Sequence, residues 1–229
     1  MFASSTLVSA SASAQTAESG AEADQALDEG DVIVVTANKR EQSVLDVPLT
    51  VNALAGDELA SKGVASGEDL VGIFPNISAS TSNTSTTNFN IRGIATNNFQ
   101  GNVNRSIGIY VDDVTVAHAF SGVLGVFDQE RVEVLRGPQN TLNGRNTTGG
   151  AINYISRKPT PGGGLEGYGR LTYGRFDRVE LEGALGFGLS DTIGVRLSGQ
   201  TQQQDGPFRN IAPGRVGERL GEVDRSAFR

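Results

Sequence analysis

The chain has 229 residues, of which 30 are glycine; 37% are hydrophobic and only 6% aromatic, a turn-rich and β-leaning composition suited to one large or two small domains. A single histidine and no cysteine exclude disulfide staples, thiolate chemistry and the usual zinc constellations, nothing calls for a cofactor, and a formal charge of −7 argues against a nucleic-acid binder. No apolar run of about 18 residues exists, which excludes a transmembrane helix and leaves a membrane β-barrel open.

In residues 1–14, Ala12-Ser13-Ala14 ahead of Gln15 fits the small-residue cleavage pattern of a secretory signal, here a residual one without its charged n-region. From Gln15 to Gly30 the chain carries Glu18, Glu22, Asp24, Asp28 and Glu29 and no basic residue, too little apolar surface to order itself. DVIVVTA follows (Asp31, Val32, Ile33, Val34, Val35, Thr36, Ala37), with five consecutive β-branched residues. Two readings stand for it: the first strand of the next domain, or the end of a flexible arm (15–37) kept free to add itself to another protein's sheet edge.

Val47–Leu54 predicts a strand, with Pro48 placing its start at an edge. GDELASKG predicts a short helix closing at Gly63, and Ser66, with Asp69 at capping-box spacing, begins a second that Pro75 stops. Residues 78–88, SASTSNTSTTN, read as a polar loop, Phe89–Ile94 as a strand carrying Arg92, and Thr96–Ser106 as another polar loop. IGIYVDDVTVA predicts a hairpin with Asp112-Asp113 at its turn.

VEVLRGPQNTLNGRNTTGGAINY, Val132 to Tyr154, opens as a strand that stops at Arg136-Gly137-Pro138 and returns as a second strand. Pro138 suits the first position of a short helical turn, Gly144 a left-handed residue ending it, and Gly149-Gly150 a tight return. A phosphate loop is excluded, because no Lys-Ser/Thr pair follows. His118 lacks a Ser or Cys partner at a telling spacing, and two carboxylates on a hairpin turn are turn chemistry more often than a metal site.

Beyond Pro161-Gly162-Gly163-Gly164 the pattern changes. Odd positions from Val179 to Leu189 are apolar or glycine, even ones are Arg, Glu, Ala or Gly, and the alternation resumes at Ile193 after a short Ser190–Thr192 turn. A soluble sheet with one wet face gives the same signal. Strand length, short connections alternating with long ones, and a polar face rich in Gly, Arg and Glu favour membrane strands. Residues 165–229 supply three strands and the start of a fourth, with a long polar loop from Gln200 to about Asp224. A barrel needs at least about eight strands, so the expectation is the front piece of a longer protein.

The succession DVIVVTA, FNIRGI, GIYVDDV and FDQERVEVLRGPQNTLNGRNTTGGAINYISRKP, in this order and spacing, resembles the TonB-dependent outer-membrane receptors over roughly residues 31–229. The resemblance implies an α+β plug domain (38–160), a small mixed sheet with short helices, followed by the first antiparallel strands of an incomplete transmembrane β-barrel (165–229). It implies that Asp31–Ala37 is the TonB box gripped by a TonB-type periplasmic coupling protein. It implies that Arg92 and Arg136 lock the plug to barrel glutamates. The remaining partners it implies are outer-membrane lipid and a small-molecule ligand such as an iron chelate. Ser82, Asn83, Thr84, Asn97, Asn98, Phe99 and Asn102 are the plug-loop residues expected to face that ligand.

The expected function is energised uptake of a scarce nutrient such as an iron–siderophore complex, at the outer membrane of a Gram-negative cell, with no enzymatic step. The other reading is a solitary plug-like binding module without transport activity. A sensor variant with an added periplasmic domain is disfavoured, because about sixteen residues ahead of Asp31 are too few for one.

Overall fold

The computed structural model describes residues 34–36, 39–40, 42–45, 47, 49–83, 86–96, 105–116, 125–212, 215 and 217–229. Strand β1 (Val34–Val35) pairs antiparallel with β2 (Gln42–Ser43) and ends the arm. Strand β3 (Thr50–Ala55) leads into helix α1 (Gly56–Ser61), which stops where Gly63 takes a left-handed φ of 71°. The Ser66 capping box forms as expected, yet the turn it starts, Gly67–Gly72, is a 3-10 helix instead of an α-helix. The Asp69 carboxylate accepts the N–H of both Ala65 and Ser66, which fixes the entry of the chain into that turn.

The expected loop at 78–88 is a hairpin instead. Strands β4 (Ile77–Asn83) and β5 (Thr86–Ile91) pair antiparallel, with Ala79 opposite Phe89. Isolated Thr and Ser on a period of two suffice for a strand when Ile77, Phe89 and Ile91 on the same elements are buried in the core. Strand β5 ends at Ile91, so Arg92 lies one residue past it. Arg92 (φ 55°) and Gly93 (φ 84°) form a tight turn closed by reciprocal bonds between Ile91 and Ile94.

Strands β6 (Ile107–Val111) and β7 (Val114–Thr115) form the expected hairpin, and Asp112 and Asp113 both hold positive φ, as a type I′ turn requires. Strand β8 (Gln129–Arg136) is followed by the one-turn helix α2 (Asn140–Asn143) and strand β9 (Gly150–Ser156). Pro138 precedes the Gln139 cap of α2 and so stands outside the helical turn. Gly144 ends that turn with positive φ but an extended ψ of −162°, outside the left-handed helical well. The central sheet has the order β3-β8-β9-β6-β7, with β6 and β9 parallel and the other pairs antiparallel. It is the small mixed sheet with few short helices that the sequence implies.

One face of this sheet supplies Ile109, Val132, Val134, Ile152 and Tyr154 to a core completed by Leu59, Leu70, Phe74 and the β4–β5 hairpin. Leu70, Ile91 and Ile152 are wholly inaccessible to water, and truncating one such side chain to Ala costs about 2–5 kcal/mol. Two glycines allow the close packing. A Cβ on Gly56 would lie 1.9 Å from the Gln129 carbonyl oxygen, and one on Gly150 2.4 Å from that of Leu135.

Strands β10 (Glu166–Gly174), β11 (Arg178–Ser190) and β12 (Ile193–Gln204) form an antiparallel meander. The expected loop from Gln200 is partly strand. Strand β12 runs on to Gln204, a two-residue ladder joins β13 (Phe208–Arg209) to β14 (Arg219–Leu220), and β15 (Val223–Phe228) pairs back onto β12. At 13 residues β11 exceeds the roughly 9–11 that a tilted membrane strand needs. Leu171, Leu181, Leu185, Leu189 and Leu197 are exposed on one face, while Glu180, Glu182, Ala184, Ser198 and Gln200 are buried on the other. No helix among the described residues is long and apolar enough to cross a membrane.

Candidate functional site

The arm does not hang free where the structure describes it. β-branched Val35 is fully buried against Val47, Tyr110, Leu135 and Ala151. Beside it, Thr36 donates its N–H at 2.8 Å and its hydroxyl at 3.2 Å to one oxygen, Oε1, of Glu133. Glu133 is itself fully buried on β8, and Arg131 Nε donates to the same oxygen at 2.8 Å. Its other oxygen, Oε2, has no partner among the described residues. A buried carboxylate demands such compensation, so the arm's end and Arg131 together stabilise the charge that β8 carries inward. Just beyond, Lys39 pairs with Asp113 at the hairpin turn and lies 5.6 Å from the Tyr110 ring centre. Asp31, Val32, Ile33 and Ala37 lie outside the described residues.

The side chain of Arg92, one of the two arginines expected to lock the plug, reaches the residue that follows the other. Arg92 Nη1 is 3.9 Å from the place a Cβ would occupy on Gly137, next to Arg136. Arg136 ends β8, opposite Thr50 on one side and Gly150 on the other, and its Nε and Nη2 are buried without a partner among the described residues. Of the ligand-facing residues, Ser82 and Asn83 belong to strand β4 instead of a loop. Thr84, Asn97, Asn98, Phe99 and Asn102 lie outside the described residues.

The contact between the plug sheet and the β10–β12 wall is built by residues that sequence reasoning passed over. Asp128, held at φ 51° just before β8, accepts two bonds from the Arg196 guanidinium, from Nε at 2.8 Å and from Nη2. Its backbone N–H donates to Glu182 Oε1 at 3.2 Å. Glu182 also receives the Tyr168 hydroxyl and Arg170 Nη1, the latter at 3.1 Å. Both side chains of the Asp128–Arg196 pair are more than nine-tenths buried, so the forked geometry acts in a medium where it is strong. The alternation of β12 turns Arg196 inward and so announces a need for an acidic partner, but the sequence does not say which one.

Desolvation pushes the Tyr154 and Tyr110 phenols above their ordinary range and lowers the Arg105 guanidinium below its own. The Tyr110 hydroxyl donates to the Asn143 carbonyl oxygen. Among the described residues no group of His, Asp and Glu is placed to hold a metal ion.

Comparison with known proteins places this architecture. Residues 43–151 match the family model of the TonB-dependent Receptor Plug Domain. The pesticin receptor of Yersinia pestis is 33% identical over 141 residues, 59% of this chain and 20% of the relative. The ferripyoverdine receptor of Pseudomonas aeruginosa is 26% identical over 180 residues, 75% of this chain and 20% of the relative. In three dimensions, the crystal structure of the ferric yersiniabactin uptake receptor from Yersinia pestis aligns with a TM-score of 0.67 at 25% identity, over 78% of this chain and 27% of that one. The pyoverdine outer membrane receptor from Pseudomonas aeruginosa, at 18% identity, shares the fold with a TM-score of 0.62.

Residues 43–151 thus carry the plug fold of the TonB-dependent receptors, and antiparallel strands follow it in the chain. The chain spans about a fifth of the length of the curated relatives named here, which are receptors.

Proposed function

We propose that the chain is the plug and first wall strands of an energised receptor that imports a scarce nutrient such as an iron–siderophore complex. One observation carries this reading. A mixed plug sheet is clasped, through Asp128 and Arg196, to the polar inner face of a wall whose other face exposes a row of leucines. A solitary water-soluble module would leave Leu171, Leu181, Leu185 and Leu197 in water. A membrane wall around a lumen buries them in lipid.

In this reading residues 1–14 are the remnant of the export signal, 15–37 the arm, 38–160 the plug and 165–229 the start of the barrel. The coupling protein adds a strand along Asp31–Ala37 and pulls. Each backbone hydrogen bond contributes a net of about 0.5–1.5 kcal/mol and ordering each residue costs about 1–2 kcal/mol, so the grip is weak and reversible. Thr36 must leave Glu133 before its N–H is available to a partner strand. Arg92 and Arg136 meet glutamates of the barrel; the buried Nε and Nη2 of Arg136, unpartnered among the described residues, support that role. The ligand settles near Ser82, Asn83, Thr84, Asn97, Asn98, Phe99 and Asn102. It is moved, with no chemistry performed on it.

The test is Ile33→Pro in the full-length receptor, scored for binding and for energy-dependent uptake across a panel of iron chelates, cobalamin and oligosaccharides. Proline removes an N–H and breaks strand addition, so uptake falls while binding stays. Uptake at the parental level removes Asp31–Ala37 from the mechanism.

A further inference from the structure

The long connection between β12 and β15 carries an exposed ladder of its own, β13 against β14. Phe208 stands opposite Leu220, and Arg209 opposite Arg219. Successive residues of a strand point to opposite faces, so one face is apolar and the other basic. Phe208 is 68% exposed and Leu220 48%, and neither enters a core. Like charges directly opposite across a strand pair destabilise it. Arg219 Nη1 donates to the Gly206 carbonyl oxygen at 3.2 Å, and its Nε lies 3.8 Å from the exposed Asp205, a contact of little strength in water. Arg209 has no side-chain hydrogen bond or ion pair among the described residues to offset the repulsion.

The root of this ladder is fixed in place. The Asp205 N–H bonds to the Phe176 carbonyl at 2.8 Å, beside the β10–β11 turn, and a Cβ on Gly206 would lie 2.4 Å from the Leu220 carbonyl oxygen. Its position relative to the wall follows from register. Tyr173, Val179, Gln203 and Asp224 form one row across β10, β11, β12 and β15. Leu171 and Leu181, both exposed, stand in the next row along the same face. The leucine face therefore ends at Gln203 and Asp224, and Tyr173, 71% exposed, marks the depth where membrane walls carry aromatic residues. The ladder opens soon after β12 stops at Gln204 and closes just ahead of β15 at Val223. It stands at the rim of the leucine face.

We infer that the β13–β14 ladder is a docking surface for a phosphate-bearing lipid of the outer leaflet, with Arg209 and Arg219 on the phosphate and Phe208 and Leu220 against the acyl chains. The inference rests on the transport reading above, which turns the leucines to lipid and the long connection outward, away from the short Ser190–Thr192 turn. Two guanidinium forks match the oxygens of one phosphate, and that negative charge turns the Arg209–Arg219 repulsion into attraction. An element with arginine on one face and Phe and Leu on the other is built to lie in a bilayer's interface. A single occupant thus accounts for both faces, whereas a soluble anion would leave the apolar pair in water.

The test is native mass spectrometry of the full-length receptor in detergent micelles, with lipid A, phosphatidylcholine and inorganic phosphate as the probes. The receptor retains lipid A in preference to phosphatidylcholine. Arg209→Gln and Arg219→Gln each weaken that retention about tenfold, as loss of a hydrogen bond to a charged group does, and Phe208→Ser weakens it as well. Arg209→Glu separates binding from stability. It sets opposite charges across the ladder, so amide exchange there slows in lipid-free micelles while lipid A is lost. Parental retention of lipid A in the double variant Arg209→Gln/Arg219→Gln overturns the inference. Displacement of lipid A by an equal concentration of inorganic phosphate overturns it too, since the arginines then hold a free anion. So does a double variant that binds an iron chelate more weakly and lipid A as before, which assigns the arginines to the nutrient. None of these measurements involves the coupling protein or uptake. Failure of the Ile33→Pro experiment therefore leaves the lipid site standing, and failure here leaves the transport reading standing.

Discussion

Thr36 and Glu133, 97 positions apart in the chain, are joined by two hydrogen bonds to a single carboxylate oxygen. Strand β8 thereby holds the inner end of the arm at a fully buried site. The same oxygen serves Arg131, so the arm's attachment and the neutralisation of a buried charge are one network.

Glu133→Gln keeps an acceptor for Thr36 and removes the charge that makes those bonds strong. Hydrogen bonds to charged groups contribute about 1.5–3 kcal/mol and neutral ones about 0.5–1.5, so the arm loosens by about 1–2 kcal/mol. Hydrogen exchange at Val35 and Thr36 then speeds by about tenfold, while the core strand β9 keeps its protection. Equal acceleration throughout the plug would mean that Glu133 supports the fold alone and not the arm.

Arg136→Ala separates two accounts of the strand-end arginine. If barrel glutamates meet its buried Nε and Nη2, their loss in the full-length receptor costs about 3–5 kcal/mol, and the plug exchanges its amide hydrogens faster. If no partner arrives, removing a half-buried cation is neutral or stabilising. Unchanged exchange in β8 and β9 rules out the lock.

Gly56→Ala places a methyl group 1.9 Å from the Gln129 carbonyl oxygen, a backbone atom that cannot swing aside. Helix α1 must lift from β8, at a cost of about 1–3 kcal/mol or more. A lower thermal midpoint of the plug is expected, together with greater exposure of Leu59, which α1 buries. A midpoint equal to the parent's would show that the contact relaxes without cost.

Tyr154 is fully buried and its phenol is held above the ordinary tyrosine range by desolvation. The folded plug therefore keeps a proton that the unfolded chain releases near pH 10. Stability is fully present below that pH and falls as pH rises through it. In a spectrophotometric titration, Tyr154 contributes no tyrosinate signal until the plug unfolds, and Tyr154→Phe shifts the alkaline unfolding to higher pH. A reversible step near pH 10 in the parent, absent from Tyr154→Phe, would contradict the assignment.

What the sequence made legible follows from the range of each interaction. The β10–β12 alternation and the β6–β7 hairpin with Asp112-Asp113 at its turn are local signals, and both appear in the structure. The β4–β5 hairpin was hidden because Ser, Thr and Asn fill it, and its identity as strand comes from burial of Phe89 and Ile91 in a core assembled elsewhere. Arg92 reads as a strand residue until the reciprocal Ile91–Ile94 bonds show that the chain has already turned. The clasp was illegible for a different reason: Asp128 and Arg196 stand 68 positions apart, and nothing near Asp128 distinguishes it from any acidic residue before a strand. The docking of Val35 and Thr36 was equally out of reach, since a β-branched run describes a strand that is added as well as one already packed.

The nine residues from 157 to 165 link the plug's last strand to the first of the wall, and their middle is fastened down. Gly162 N–H bonds to the Ser190 carbonyl at 2.8 Å, Gly188 N–H to that of Gly163 at 3.1 Å, and a Cβ on Gly194 would strike Pro159. Fully drawn out, nine residues reach at most about 30 Å. A sheet leashed so briefly, and stapled beside the turn between β11 and β12, stays moored to the strands that follow it.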